Sequence, residues 1–199
     1  MKKKLSPRLA LVIIAALFLL PLLLAWFMYS GTIEFKPGKT RNLGTLVVPP
    51  LPTSWNDIQL INTAGETRAG DIFDEHWVVL FAVPAACPNA CVEQVTALRQ
   101  IHRAAGRHQS RIRIALLLAQ DSAEELQLRL METYSKFELV KDPSGILTAA
   151  LERAGGQESS VYLIDPLGNI MMTYKPGADP NDLNKDLKRL LTWSKLDEQ

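Results

Sequence analysis

The sequence predicts an α/β fold, a central mixed sheet flanked by helices, carried behind one N-terminal transmembrane helix. Three observations predict it. An uncharged stretch of 21 residues, Leu9 to Tyr29, stands near the N-terminus. Beyond it, short apolar, β-branched runs alternate with stretches of helical periodicity, the pattern of a sheet covered on both faces. The only two cysteines in the chain, Cys87 and Cys91, fall at one of those strand-to-helix junctions.

The 199 residues leave room for one anchor and one domain of ordinary size. At about 1.5 Å per residue, the apolar stretch covers a hydrocarbon core of roughly 30 Å. Pro21 falls mid-span, and Trp26 and Tyr29 stand where an aromatic belt would lie. Lys2, Lys3, Lys4 and Arg8 precede the span with no acidic residue among them, which places the N-terminus in the cytoplasm and the rest across the membrane. The stretch exceeds a signal-peptide core and no A-x-A site follows it directly, so it reads as an uncleaved anchor. The expected division is a basic tail over 1–8, the membrane helix over 9–29, a linker over 30–54 and a folded domain over 55–199.

Setting aside the four N-terminal positives leaves 18 of the 22 basic residues against 21 acidic ones, a net charge of −3. No basic stripe remains for nucleic acid. The linker is expected from its glycines and prolines, Gly31 to Pro52, which show no helical period. The domain is expected to start near Trp55, with a hairpin turning at Ala64 and Gly65. Residues 76–83, HWVVLFAV, read as a buried strand. Val92, Val95, Leu98 and Ile101 then share one helical face. A second buried strand spans 111–119, and Ser122 with Glu125 reads as a capping box opening a helix through Leu126, Leu130, Met131 and Tyr134. A short helix over 144–154 ends at Gly155-Gly156. A strand over 159–165 turns back into 170–174, and Asp179-Pro180 starts the last helix.

Cys87-Pro88-Asn89-Ala90-Cys91 lies between a buried strand and a helix, where an open α/β sheet presents reactive groups. Residues i and i+4 can share one face of a first helical turn. The N–H groups and dipole there favour a thiolate. A five-residue loop constrains an unfolded chain little, so the spacing favours chemistry over a structural staple. Cys87, nearer the loop, is the expected exposed, attacking sulfur, and Cys91 the resolving one. Two thiolates this close would also suit a soft cation such as Cu(I).

WVVLFAVPAACPNACVEQVTALRQIH followed by VYLIDPLGNI resembles the Sco/SenC family of cytochrome c oxidase assembly proteins, which are membrane-anchored, thioredoxin-like and copper-binding. The resemblance covers roughly residues 55–193 and is most specific at the cysteine motif and at Tyr162-Leu163-Ile164-Asp165-Pro166. It implies a thioredoxin-like fold and the family's copper and redox cysteines at Cys87 and Cys91. It also implies a bacterial inner membrane with the domain in the periplasm. The implied partner is cytochrome c oxidase subunit II or another copper-handling protein. The family's third copper ligand, a histidine shortly before the Y-L-I-D-P strand, is missing: Gln157 stands there, between Gly156 and Glu158, and no histidine follows His108. That loss costs most for Cu(II), so the chemistry leans toward thiol–disulfide exchange, with Cu(I) carriage on Cys87 and Cys91 or a non-catalytic assembly scaffold as alternatives.

Other residues are weighed against blander roles. His76, at the start of its strand, is expected at the sheet end away from the cysteines. His102 and His108 read as a solvated helix end. Glu158 reads as a loop carboxylate whose loop approaches the cysteines, and Met171 and Met172 as core. The peroxiredoxin pattern needs Thr or Ser where Pro84 stands. There is no haem, P-loop or nucleophile-elbow motif.

Overall fold

The structure is a computed structural model that describes residues 6–30, 41–53, 57–62, 64–69, 75–122 and 124–194. The chain divides into two units, Met1–Arg41 and Asn42–Gln199. In the first, helix α1 runs Pro7–Tyr29. Ser6 caps it, accepting from the Leu9 N–H at 3.3 Å, and Pro7 takes a first-turn position where no N–H is needed. Over Pro7–Phe27 it is long and apolar enough to cross a membrane. Lys2 to Lys4, and Trp55 at the expected domain start, lie outside the described residues.

Among its described residues the second unit carries eight strands in one sheet: β1 (Thr45–Pro52), β2 (Gln59–Asn62), β3 (Thr67–Ala69), β4 (Trp77–Ala82), β5 (Ile112–Leu118), β6 (Phe137–Lys141), β7 (Val161–Ile164) and β8 (Asn169–Tyr174). Their order is β1-β8-β7-β4-β5-β6-β2-β3. Strands β4, β5 and β6 run parallel, and β7 pairs antiparallel to β4, so the sheet is mixed as expected. The helices are α2 (Asn89–Ala104), α3 (Glu124–Thr133), α4 (Ile146–Arg153) and α5 (Pro180–Trp193).

β4 is apolar at every position, which requires cover on both faces. Its alternate residues Trp77, Val79 and Phe81 join the core formed with α2, α3 and α5. Val78 and Leu80 join the core formed with α4, Ile58 and Leu60. The expected elements from β2 to α5 are present, with ends shifted by a few residues. Two expectations are corrected and one strand is added. Thr45–Pro52, expected within the linker, forms edge strand β1, which pairs antiparallel with β8. Its prolines suit an edge, where N–H groups need no partner. Phe137–Lys141, unassigned from sequence, forms β6. The Ser122 hydroxyl donates to the Ala119 carbonyl at 2.8 Å, so it closes the turn before α3 instead of joining a capping box.

Two buried polar groups tie elements together. Asp186 of α5 is 2% exposed, and its Oδ2 accepts from the Leu43 and Gly44 N–H groups (2.8 and 2.9 Å) and from the Tyr174 hydroxyl (3.1 Å). Arg189 donates to its other oxygen at 3.2 Å. This one carboxylate fastens the start of β1 to β8 and α5. Gly44 must be glycine here, since a Cβ would meet the Tyr174 ring at 2.7 Å. Burial, followed by the Asp186 charge, raises the Tyr174 pKa, so the phenol remains a donor.

His102 is the second group, and it is not solvated as expected. It is 4% exposed because the end of α2 packs beside Tyr134 and Phe137. Its Nε2 donates to the Gln109 carbonyl at 3.3 Å, which leaves Nδ1 to accept from the Tyr134 hydroxyl at 2.8 Å. Burial lowers its pKa below the ordinary 6.5.

Replacing Asp186 by Ala strands two buried donors, the Gly44 N–H and the Tyr174 hydroxyl, and is expected to cost about 3 kcal/mol, read by urea denaturation. Asp186→Ala unfolding at the native midpoint would show that the clasp carries no stability. For His102, the unfolded chain takes up a proton before the folded one as pH falls. Its contribution is therefore intact above 6.5 and lost as pH drops toward the lowered folded-state value. Native protein should lose stability between about pH 7.5 and about pH 5 more steeply than His102→Gln. Equal slopes for the two would remove His102 as the cause.

Candidate functional site

β4 ends at Ala82, and the chain turns at once. The Cys87 N–H donates to the Pro84 carbonyl at 3.1 Å, closing a turn through Ala85 and Ala86. Cys87 then adopts φ 35°, in the left-handed region that a side chain and a following proline both disfavour. Holding such a residue costs on the order of 1–3 kcal/mol, which the surrounding packing supplies. Pro88 is the N-cap of α2 and offers no side-chain acceptor. The first N–H groups of the helix thus remain available to a thiolate beside them.

Cys87 and Cys91 are joined in a disulfide, with Cα atoms 5.2 Å apart. The two cysteines do not share a first helical turn as expected: Cys87 stands outside α2, and Cys91 is in its first turn. Nor is Cys87 the more exposed. Each is 4% exposed, because both join the core beneath α2 and α5. The residues around them, Ala85, Ala86, Pro88, Asn89 and Ala90, are exposed.

The loop before β7 is brought to this turn by the β4–β7 pairing. The Ala82 N–H donates to the Ser160 carbonyl at 3.1 Å, and the Ser159 N–H to the Ala82 carbonyl at 3.0 Å. Glu158 is exposed, and its Oε1 accepts from the Ala85 N–H at 3.4 Å, two residues before Cys87. Gln157 is exposed in the same loop, its N–H donating to the Ser160 hydroxyl at 3.1 Å. The loop starts from the end of α4, where the Gly155 and Gly156 N–H groups bond the Glu152 and Leu151 carbonyls (2.9 and 3.3 Å). Gly156 admits the Tyr162 hydroxyl, which a Cβ would meet at 1.8 Å.

A groove of about 350 Å³ runs beside the disulfide, floored by Phe81 and Cys91. Pro88 and Glu93 from the motif side face Ser159 and the Pro176–Pro180 segment. That last wall was not singled out from sequence. Its Pro-Gly-Ala-Asp-Pro composition signals a turn, but its place beside the cysteines follows from strand order. His102 lies about three turns along α2 from Cys91 and takes no part. Met172 is buried with its sulfur 3.5 Å from the Tyr174 oxygen, and Met171 packs against the same core. Among the described residues no cluster of three or more His, Cys, Asp or Glu could hold a metal ion.

A family model described as the transmembrane-like, thioredoxin-like, C-terminal domain matches residues 77–194. The chain belongs to this family. The thioredoxin-like domain is similar in structure to apo Sco1 from Thermus thermophilus, at 17% identity and a TM-score of 0.61, over 78% of this chain and 99% of that one. It is similar to copper-bound ScoI from Bradyrhizobium japonicum at 14% identity and 0.53, over 66% and 96%. It is also similar to a thiol:disulfide interchange protein from Bacteroides sp. at 17% identity and 0.54, over 76% and 91%. At these identities the likeness is one of fold. No curated protein matches the chain.

Gly156→Ala is expected to cost about 1–3 kcal/mol by forcing the Tyr162 ring out of its place. Adding Tyr162→Leu should return part of that loss in urea denaturation. No loss in the single variant would remove the close approach as the reason for glycine.

Proposed function

We propose that this chain is a membrane-anchored, Sco-like thioredoxin-fold protein, divergent in lacking the copper-ligand histidine. It assists cytochrome c oxidase assembly by thiol–disulfide exchange on the copper-site cysteines of an exported partner. That partner is oxidase subunit II or another copper-handling protein. The observation that carries the reading is a buried disulfide beside an open groove, at the carboxyl end of the central strand. The apolar α1 and the positive charges before it support a bacterial inner-membrane anchor with the domain, from the end of the linker onward, in the periplasm.

In the oxidising direction, a partner thiolate attacks one sulfur of the pair. The Cys87–Cys91 bond breaks, and its electron pair leaves on the other sulfur as a thiolate. A second partner thiol, deprotonated, attacks the mixed disulfide. The partner leaves as a disulfide and the pair as a dithiol, having gained two electrons and two protons. The reducing direction is the reverse, with Cys87 attacking from its loop and Cys91 resolving.

Cu(I) carriage is the second reading, favoured by the fold likeness to a copper-bound ScoI. Once reduced, Cys87 and Cys91 would offer two thiolates, a donor set suited to Cu(I). Gln157 supplies no imidazole in the loop that reaches the motif, which disfavours Cu(II).

Cys91→Ser is expected to accumulate mixed disulfides between Cys87 and its partner in cells, identified by diagonal gels and mass spectrometry. Cys87→Ser should abolish them. A double Cys→Ser variant that supports oxidase assembly as well as the native chain would leave the scaffold reading instead. One Cu(I) retained per reduced chain, with no trapped partner, would favour the copper reading.

A further inference from the structure

The groove beside the disulfide is apolar except at one point of charge. Its walls are Phe81, prolines, alanines and Gly177, with Gln94 and Ser159 as uncharged polar groups. Glu93 is the charged residue among those that line it. Glu93 is exposed, two positions beyond Cys91 on α2, and no hydrogen bond or ion pair engages its carboxylate among the described residues. Lys175 and Asp179, of opposite charge, line the adjoining small crevice. A partner segment whose cysteine reaches the pair lays flanking residues in this groove against the Glu93 carboxylate, while Glu158, the other carboxylate near the motif, is engaged by the Ala85 N–H outside the groove lining.

We infer that Glu93 is a specificity-determining residue that selects partner segments carrying a lysine or arginine beside the reactive cysteine. The inference rests on the exchange reading and names the partner chemistry which that reading leaves open. The physical basis is complementarity at a solvated rim. A cation about 6 Å from Glu93 gains somewhat less than 1 kcal/mol in water, and an anion loses as much. Such a term acts mainly on the encounter rate and fades with salt. The bonds made and broken are those of the exchange itself, and Glu93 adds none.

The test uses the oxidised full chain in non-ionic detergent. The probes are reduced single-cysteine peptides with Lys, Gln or Glu two positions from the cysteine. Each rate is divided by that peptide's rate with a small uncharged disulfide, to remove differences in thiol acidity. Dithiothreitol serves as an uncharged reference for every variant. At roughly 20 mM salt the Lys peptide should react about threefold faster than the Gln peptide and about tenfold faster than the Glu peptide. The differences should shrink at about 0.5 M salt. Glu93→Gln should bring the three rates together, and Glu93→Lys should reverse their order. Equal rates in the native chain, or an order that survives in Glu93→Gln, would overturn the inference while leaving the exchange reading intact. A disulfide that dithiothreitol cannot reduce would overturn both.

Discussion

The structure depends on the burial of β4 on both faces. Six consecutive apolar residues, Trp77 to Ala82, cannot face water on either side, so the strand must lie inside a sheet with cover above and below. β5 pairs with it in parallel and β7 antiparallel, and two separate cores form on its alternate side chains. At about 25 cal/mol per Å² of apolar surface, burial of its large side chains outweighs any local preference in the chain that follows. The cysteine turn is therefore attached to the most firmly held element of the domain.

That attachment accounts for the conformation of the site. Cys87 adopts a backbone conformation it would not choose alone, and two packed elements hold it there: β4 before it and α2 after it. The facing loop is held with equal definition. Ser159 and Ser160 exchange hydrogen bonds with Ala82, while Gly156 lets the Tyr162 ring sit directly beneath the loop. A cysteine pair on a mobile loop would sample many sulfur separations. Here both cysteines belong to the core, and the groove opens beside Cys91.

The two polar clasps, at Asp186 and His102, follow a common rule. Each is a buried group whose donors and acceptors are met by partners from other elements. Asp186 joins β1 to a sheet edge that the strand's own prolines would leave weakly paired. His102 sits as a neutral ring where the end of α2 meets Tyr134, so a residue resembling a surface histidine in sequence is a core one in the fold. The cysteine pair and the clasp thereby stand at opposite ends of α2, the cysteines at its start and the clasp at its end.

Much of this was legible in the sequence because local signals agreed with tertiary demand. The apolar α1, the alternating elements from β4 onward, the Asp179-Pro180 helix start and the cysteine motif at a strand-to-helix junction each carry their own physical cause. β6 escaped notice because Glu138 and Lys141 break its apolar run, and β1 because its prolines resemble a tether. Hydrogen bonding to a neighbouring strand outweighs both signals, and strand pairing is not a local property. The sequence by itself determined the order of the helices and of every strand but β1 and β6, and which residues could carry the chemistry, since periodicity and residue type are properties of the chain. Only the tertiary structure decided that both cysteines are equally buried, that His102 is inside, and that Glu93, Ser159 and Pro176 meet around one groove. Those placements arise from pairing across the sheet, which brings together segments that nothing in their own sequence relates.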